Sequence, residues 1–177
     1  MEEKKLPQRK TMRAKYFDYS STGAYFLTIC TKDKKHILSR IVGTGVLDRP
    51  QEGVFDSPKI ILKHCGKIVE KYINQLNDFY ENITVNEYVI MPNHIHFILI
   101  VSENGSPRTS TPTRQTSTIS HFVSTFKRFC NKECGGNIWQ RGFYDHVIRN
   151  REDFEKHVKY IHENPICWHY DELYSGE

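Results

Sequence analysis

Apolar residues along this chain recur with two periods, one suited to strands and one to helices. Gly23-Ala-Tyr-Phe-Leu-Thr-Ile-Cys30 is rich in β-branched and aromatic residues and follows the turn-prone Ser20-Ser-Thr-Gly23, so it predicts a first strand. Residues 41–58 are broken by Gly43, Gly45, Pro50, Gly53 and Pro58, with room for a short hairpin between Val42-Val46-Leu47 and Val54-Phe55. From Lys59 to Asn77 the apolar positions Ile61, Leu62, Ile68, Val69, Tyr72, Ile73 and Leu76 lie three or four apart, which predicts a first helix. Ile83–Ile90 and His94–Val101 read as a strand pair joined by Met91-Pro92-Asn93. A second helix is expected from Thr118 to Glu133 on the stripe Ile119, Phe122, Val123, Phe126 and Phe129, ended by Gly135-Gly136. Ile138–Ile148 then resembles a strand, and Asn150 caps a third helix that Asn164-Pro165 stops. Strand, helix, strand, strand, helix, strand, helix is an α+β order: a ferredoxin-like split βαβ with an antiparallel sheet and one additional C-terminal helix.

At 177 residues, 38% hydrophobic and 26% charged, with a mean hydropathy of -0.60, the chain suits a single domain over residues 1–177. To this we assign a basic N-terminal tail, 1–16, and a flexible Ser/Thr-rich loop, 102–117. No apolar run approaches the roughly 20 residues of a membrane-spanning helix, so a cytoplasmic protein is expected. Five cysteines, an odd number without close regular spacing, read as reduced thiols. Cys130 and Cys134 lie one helical turn apart, but no second pair accompanies them, and zinc is not expected.

Net charge is only +4, yet it is unevenly placed: residues 1–16 hold six basic and two acidic side chains, and 105–141 hold six basic and one acidic. Such clusters either solubilise a tail and a loop or neutralise phosphates.

Candidate chemistry enters with His94 and His96. Side chains alternate along a strand, so these two imidazoles project together, about 7 Å apart, while Ile95, Phe97, Leu99 and Val101 line the opposite face. Neutral, they can converge on one cation if a third ligand arrives from elsewhere. On the third helix Asp153, Lys156, His157, Glu163 and Asn164 fall within about 60° of Tyr160, with Phe154, Val158 and Ile161 on the adjoining arc. A phenol and an amide one turn apart can therefore reach one point. Sheet-surface histidines and a tyrosine beside a helix-ending asparagine are also ordinary structural features, and spacing alone leaves both readings open.

Three ordered segments narrow the choice: Tyr88-Val-Ile-Met-Pro-Asn-His-Ile-His-Phe97, Trp139-Gln-Arg-Gly-Phe-Tyr-Asp-His-Val-Ile-Arg149 and Tyr160-Ile-His-Glu-Asn-Pro165. Together with the opening strand they resemble the HUH single-tyrosine transposases (IS200-like), specifically the REP-associated tyrosine transposase branch, over about residues 10–168. The resemblance implies that His94 and His96 bind a metal, that Tyr160 is the nucleophile and that Asn164 is the third metal ligand. It implies Mg2+ or Mn2+ as cofactor and single-stranded DNA or a DNA hairpin at palindromic repeat ends as partner, in a nucleoid-associated protein. It further implies metal-dependent cleavage and strand transfer through a 5′-phosphotyrosine, while leaving open whether Tyr160 serves its own histidine pair or that of a second copy in a homodimer. Arg9, Lys10, Arg13, Lys127, Arg128 and Arg141 are then the expected phosphate contacts, and Trp139, Phe143 and Tyr144 are candidates for base stacking. His146, His157 and Glu163 are expected to be structural or to support the ligands. The alternatives are a non-cleaving protein that binds the repeat hairpin and a related HUH nickase.

Overall fold

The computed structural model describes residues 22–43, 58–102 and 118–174. Strands β1 (Gly23–Cys30), β4 (Ile83–Ile90), β5 (His94–Val101) and β6 (Tyr144–Ile148) form an antiparallel sheet in the order β4-β5-β1-β6. Helices α1 (His64–Phe79), α2 (Thr118–Glu133) and α3 (Arg151–Glu163) complete the fold, and a separate ladder pairs β2 (Ser39–Val42) with β3 (Lys59–Leu62). With β2 and β3 set aside, the strand order is that of the ferredoxin-like arrangement. Arg9, Lys10, Arg13, the tail and nearly all of loop 102–117 lie outside the described residues.

Sheet alternation divides the core in two. Tyr25, Leu27, Ile29, Ile95, Phe97, Leu99 and Val101 pack with Val69 and Ile73 of α1 and with Ile119, Phe122, Val123 and Phe126 of α2. On the other face Phe26, Ile98 and Ile148 pack with Ile161 of α3 and with Trp168. The third helix therefore covers the face onto which His94 and His96 project. Its start is set by Asn150, whose side chain accepts a hydrogen bond from the Asp153 amide, an N-cap of the kind that contributes about 1 kcal/mol. All five cysteines are free thiols. Among the described residues no helix is long and apolar enough to cross a membrane.

Two element boundaries differ from the sequence expectation. Lys59–Leu62 is a strand, and the helix begins only at His64. The run Lys-Ile-Ile-Leu gains a ladder with Ser39–Val42, which local periodicity cannot reveal, and Lys63 N donates to Leu38 O to close it. The expected hairpin partner residues at 46–47 and 54–55 lie outside the described residues. Likewise β6 covers only Tyr144–Ile148, with an isolated bridge from Thr31 to Trp139. The Lys127 ammonium donates to Gln140 O and Gly142 O (2.7 and 2.6 Å), occupying carbonyls of the intervening segment.

Gly66 reads as an ordinary helical glycine, but a Cβ there would lie 1.9 Å from Leu38 O. The start of α1 thus rests directly on the backbone leading into β2. Gly66→Ala is expected to cost about 3 kcal/mol or more, read as a lowered urea midpoint, because a backbone atom must move.

Candidate active site

His94 opens β5 and His96 lies two residues on, so the pleat places both rings under α3 with centroids 4.5 Å apart. They are essentially inaccessible to solvent, at 0% and 2% exposure. Each ring is held by a different neighbour. Asn93 Nδ2 donates to Leu173 O, which turns Asn93 Oδ1 toward His94 Nδ1 at 2.8 Å. An amide oxygen only accepts, so His94 carries its proton on Nδ1 and presents a lone pair at Nε2. Thr28, the cross-strand partner of His96 on β1, places its hydroxyl 2.8 Å from His96 Nδ1. The Nε2 atoms of both histidines are buried without a hydrogen-bond partner. Burial, and next the positive charge of Lys34, push His94 down to about 3. Burial, and next the neighbouring His94, hold His96 well below the usual imidazole value, against the opposing pull of Asp171. Both rings are neutral near pH 7, the protonation state that ligates metals.

Tyr160 stands over this pair on α3, 44% exposed. Its ring meets His96 edge-on at 5.2 Å and Phe26 at 5.9 Å, while Phe26 stacks on His96 at 5.1 Å. Phenol and imidazole pair thus belong to one chain and one cluster. Burial, and next the negative charge of Asp171, raise the phenol to about 12, although a hydrogen bond with Asn164 acts in the other direction.

Asn164 caps α3 and is 3% exposed. Its Nδ2 donates to Asp171 Oδ2 at 3.0 Å, which fixes the amide orientation and leaves Oδ1 buried without a partner. Asp171 is the candidate site residue that sequence reasoning missed. It follows a short 3-10 turn, Trp168–Tyr170, that folds the chain back from α3 toward β5. One carboxylate oxygen accepts from Leu173 N, and the other accepts from Asn164 and, at 3.5 Å, from the Tyr160 hydroxyl, 4.0 Å from His94 Nε2. Ligand atoms of His94, His96 and Asp171 all lie within 4.8 Å of one another. The only sequence signal was the Asp171-Glu172 pair, beginning seven residues beyond Asn164, with no local pattern to connect it to β5.

His146, Asp153 and His157 form a separate cluster where α3 meets β6. Asp153 accepts from His146 Nε2 at 2.9 Å, and His157 Nδ1 donates to Asp153 O at 2.8 Å, with the two rings stacked at 4.7 Å. The His146 hydrogen bond is the main reason the Asp153 carboxyl lies below its usual range. His157 also packs on Phe26, so the cluster fastens α3 to the sheet close to Tyr160.

The remaining expectations separate. Lys127 is bound to two backbone carbonyls, and burial lowers its ammonium to about 8. Arg128 lies over the Phe129 ring on α2, whose buried face belongs to the other side of the sheet from the histidine pair. Arg141 is exposed and follows Gln140, whose amide bonds to Cys30 O, opposite His94 in the ladder. Trp139 is a core residue at 2% exposure, packed on Phe126, and is not available to stack bases; Tyr144 is exposed.

Comparison with known proteins gives the family. The chain is 30% identical to an uncharacterized protein of Haemophilus influenzae over 96% of this chain and 94% of that one. It is 35% identical to the REP-associated tyrosine transposase of Escherichia coli K12 over 46% of this chain and 44% of that one. A REP-associated tyrosine transposase solved bound to a REP hairpin shares the fold, with a TM-score of 0.57 at 20% identity over 90% of this chain and 76% of its own. The family model described as "Transposase IS200 like" matches residues 55–164, more than half the chain and a span that includes His94, His96, Tyr160 and Asn164. The chain therefore belongs to the IS200-like transposase family and is an enzyme.

Proposed function

We propose that this protein cleaves and rejoins single-stranded DNA next to a hairpin, with Tyr160 as nucleophile acting beside the histidine pair of its own chain. The observation that carries this reading is a set of three buried polar atoms with no hydrogen-bond partner, His94 Nε2, His96 Nε2 and Asn164 Oδ1, gathered with the Asp171 carboxylate beneath an accessible phenol. Buried polar atoms without partners are costly, and a cation satisfies these.

Two neutral imidazoles, a carboxylate and an amide oxygen fit a divalent ion of the Mg2+ or Mn2+ class, with the imidazoles favouring Mn2+. Bound there, such an ion supplies Lewis acidity toward a phosphate oxygen and opposes the Asp171 charge that raises the phenol. In the proposed step the Tyr160 oxygen bonds to phosphorus, the bond from phosphorus to the 3′ oxygen breaks, and that oxygen takes up a proton to leave as a 3′-hydroxyl. The phenol proton passes to Asp171, the acceptor its hydroxyl already faces. The 5′-phosphotyrosine keeps one phosphoester for another, so a 3′-hydroxyl can reverse the step without ATP. Phe26 keeps the phenol ring and His96 in register during both directions.

Incubation of the protein with an end-labelled hairpin oligonucleotide carrying a single-stranded extension, in Mn2+, is expected to yield an SDS-resistant protein–DNA adduct. Absence of any adduct would favour the alternative of a hairpin-binding protein that does not cut. Thr28→Val tests the support of the metal site: it removes the hydroxyl that orients His96 and is expected to weaken Mn2+ about 10- to 100-fold by calorimetry, with the melting temperature little changed.

A further inference from the structure

A cleft of about 310 Å³ lies beside the histidine pair, between the β2–β3 ladder and the segment that returns after α3. It is within the range of small-ligand sites, which begin near roughly 300 Å³. Arg40 on β2 and Lys63 just after β3 supply cationic walls, His36 and His169 add imidazoles, and Trp168 and Tyr174 supply aromatic surface. Among the described residues no carboxylate lines it. Arg40 and Lys63 are exposed; Lys63 donates to His36 O, and no carboxylate among the described residues pairs with Arg40. Trp168 joins the cleft to the catalytic centre: its ring lies 5.8 Å from that of His94, 5.7 Å from His36 and 5.2 Å from Tyr174. Pro92, two residues before His94, completes that boundary.

Paired cations with neighbouring aromatic faces, free of opposing acids, are what binds one unit of a single strand: the cations take the phosphodiester and the rings take the base. We propose that this cleft is a subsite for a nucleotide of the single strand adjoining the cleaved phosphate, held by Arg40 and Lys63 at its phosphate and by Tyr174 at its base. The proposal rests on the DNA-cleaving function above and extends it to substrate positioning. It accounts for cations of the β2–β3 ladder that the sequence reading did not connect to the site.

The test uses the full chain and two labelled DNAs, a blunt hairpin and the same hairpin with a single-stranded extension, read by fluorescence anisotropy over a salt series. The double variant Arg40→Gln, Lys63→Gln removes both charges and keeps hydrogen-bonding capacity. It is expected to reduce the salt slope on the extended DNA by about 1.4, two single-strand phosphate contacts at about 0.7 each, and to leave the blunt hairpin unchanged. Tyr174→Ala is expected to weaken the extended DNA about tenfold and to spare the blunt one. Equal losses on both DNAs, or wild-type slopes on both, overturn the subsite. If these results come from protein that still forms the Tyr160 adduct, the subsite alone is wrong; if the wild-type chain binds neither DNA, both proposals fall.

Discussion

Replacing Tyr160 with phenylalanine is expected to abolish the covalent protein–DNA adduct, with a loss of at least about 10³-fold in its rate of formation, while hairpin affinity changes less than about twofold. The contrast follows from the surroundings of the ring. Its packing against Phe26 and His96 uses the aromatic edge and face, which phenylalanine retains. What disappears is the hydroxyl, whose one recorded side-chain acceptor is Asp171 at 3.5 Å. The hydroxyl is partly exposed and Asn164 Nδ2 keeps its bond to Asp171 when it is removed, so a change in melting temperature beyond a degree or two would indicate a structural effect. Tyr170, at 79% exposure on the turn beyond α3, is the control for adventitious attack, and Tyr170→Phe is expected to leave the adduct intact. An adduct that persists at the wild-type rate in Tyr160→Phe would refute the assignment of the nucleophile.

A comparably large effect is expected at the ion. His94→Gln and His96→Gln, each made alone, are expected to lower Mn2+ affinity at least about 100-fold in an electron paramagnetic resonance titration, beyond the 10- to 100-fold typical of groups that only orient a ligand. Asp171→Asn removes a charge while leaving an oxygen able to accept from Leu173 N, and should give a smaller loss, about tenfold. The glutamine variants fill much of the imidazole volume, so a retained cooperative melt separates lost ligation from lost folding. Binding of the blunt hairpin should survive, since no ligand atom is needed for contacts to duplex phosphate. Among the described residues, His146, Asp153 and His157 are the other three ligand-type residues grouped closely enough to compete for an ion. Their hydrogen bonds oppose that use, because His146 Nε2 is committed to the Asp153 carboxylate and His157 Nδ1 to the Asp153 main-chain carbonyl. Mn2+ affinity unchanged in both glutamine variants and lost in His146→Ala would move the ion to that cluster and overturn the proposed site.

The elements that the amino-acid order specified correctly are those whose signal is local. Strands at Gly23–Cys30, Ile83–Ile90 and His94–Val101 and helices at Thr118–Glu133 and Arg151–Glu163 have the bounds that periodicity, proline and the Asn150 cap predicted. The outward projection of His94 and His96 followed from the two-residue repeat of a strand, and the proximity of Tyr160 to Asn164 from the helical turn. Lys59–Leu62 was misread because four apolar-rich residues fit either period, and its ladder partner is separated from it by an interval in which no pattern marks the pairing.

Local order along the chain thus determined which side chains are candidates for the chemistry and on which face of each element they stand, because 3.6- and 2-residue repeats are properties of neighbouring residues. Tertiary structure decided what those faces meet. It brought α3 onto the histidine face through Ile161, Phe26 and the Asp153 cluster, returned Asp171 to β5 through a short turn, committed Lys127 to backbone carbonyls and placed Arg40 and Lys63 beside Trp168. Each of these is a contact between segments distant in sequence. Its free energy depends on packing and burial that exist only once the sheet has closed, and so no repeat within either segment records it.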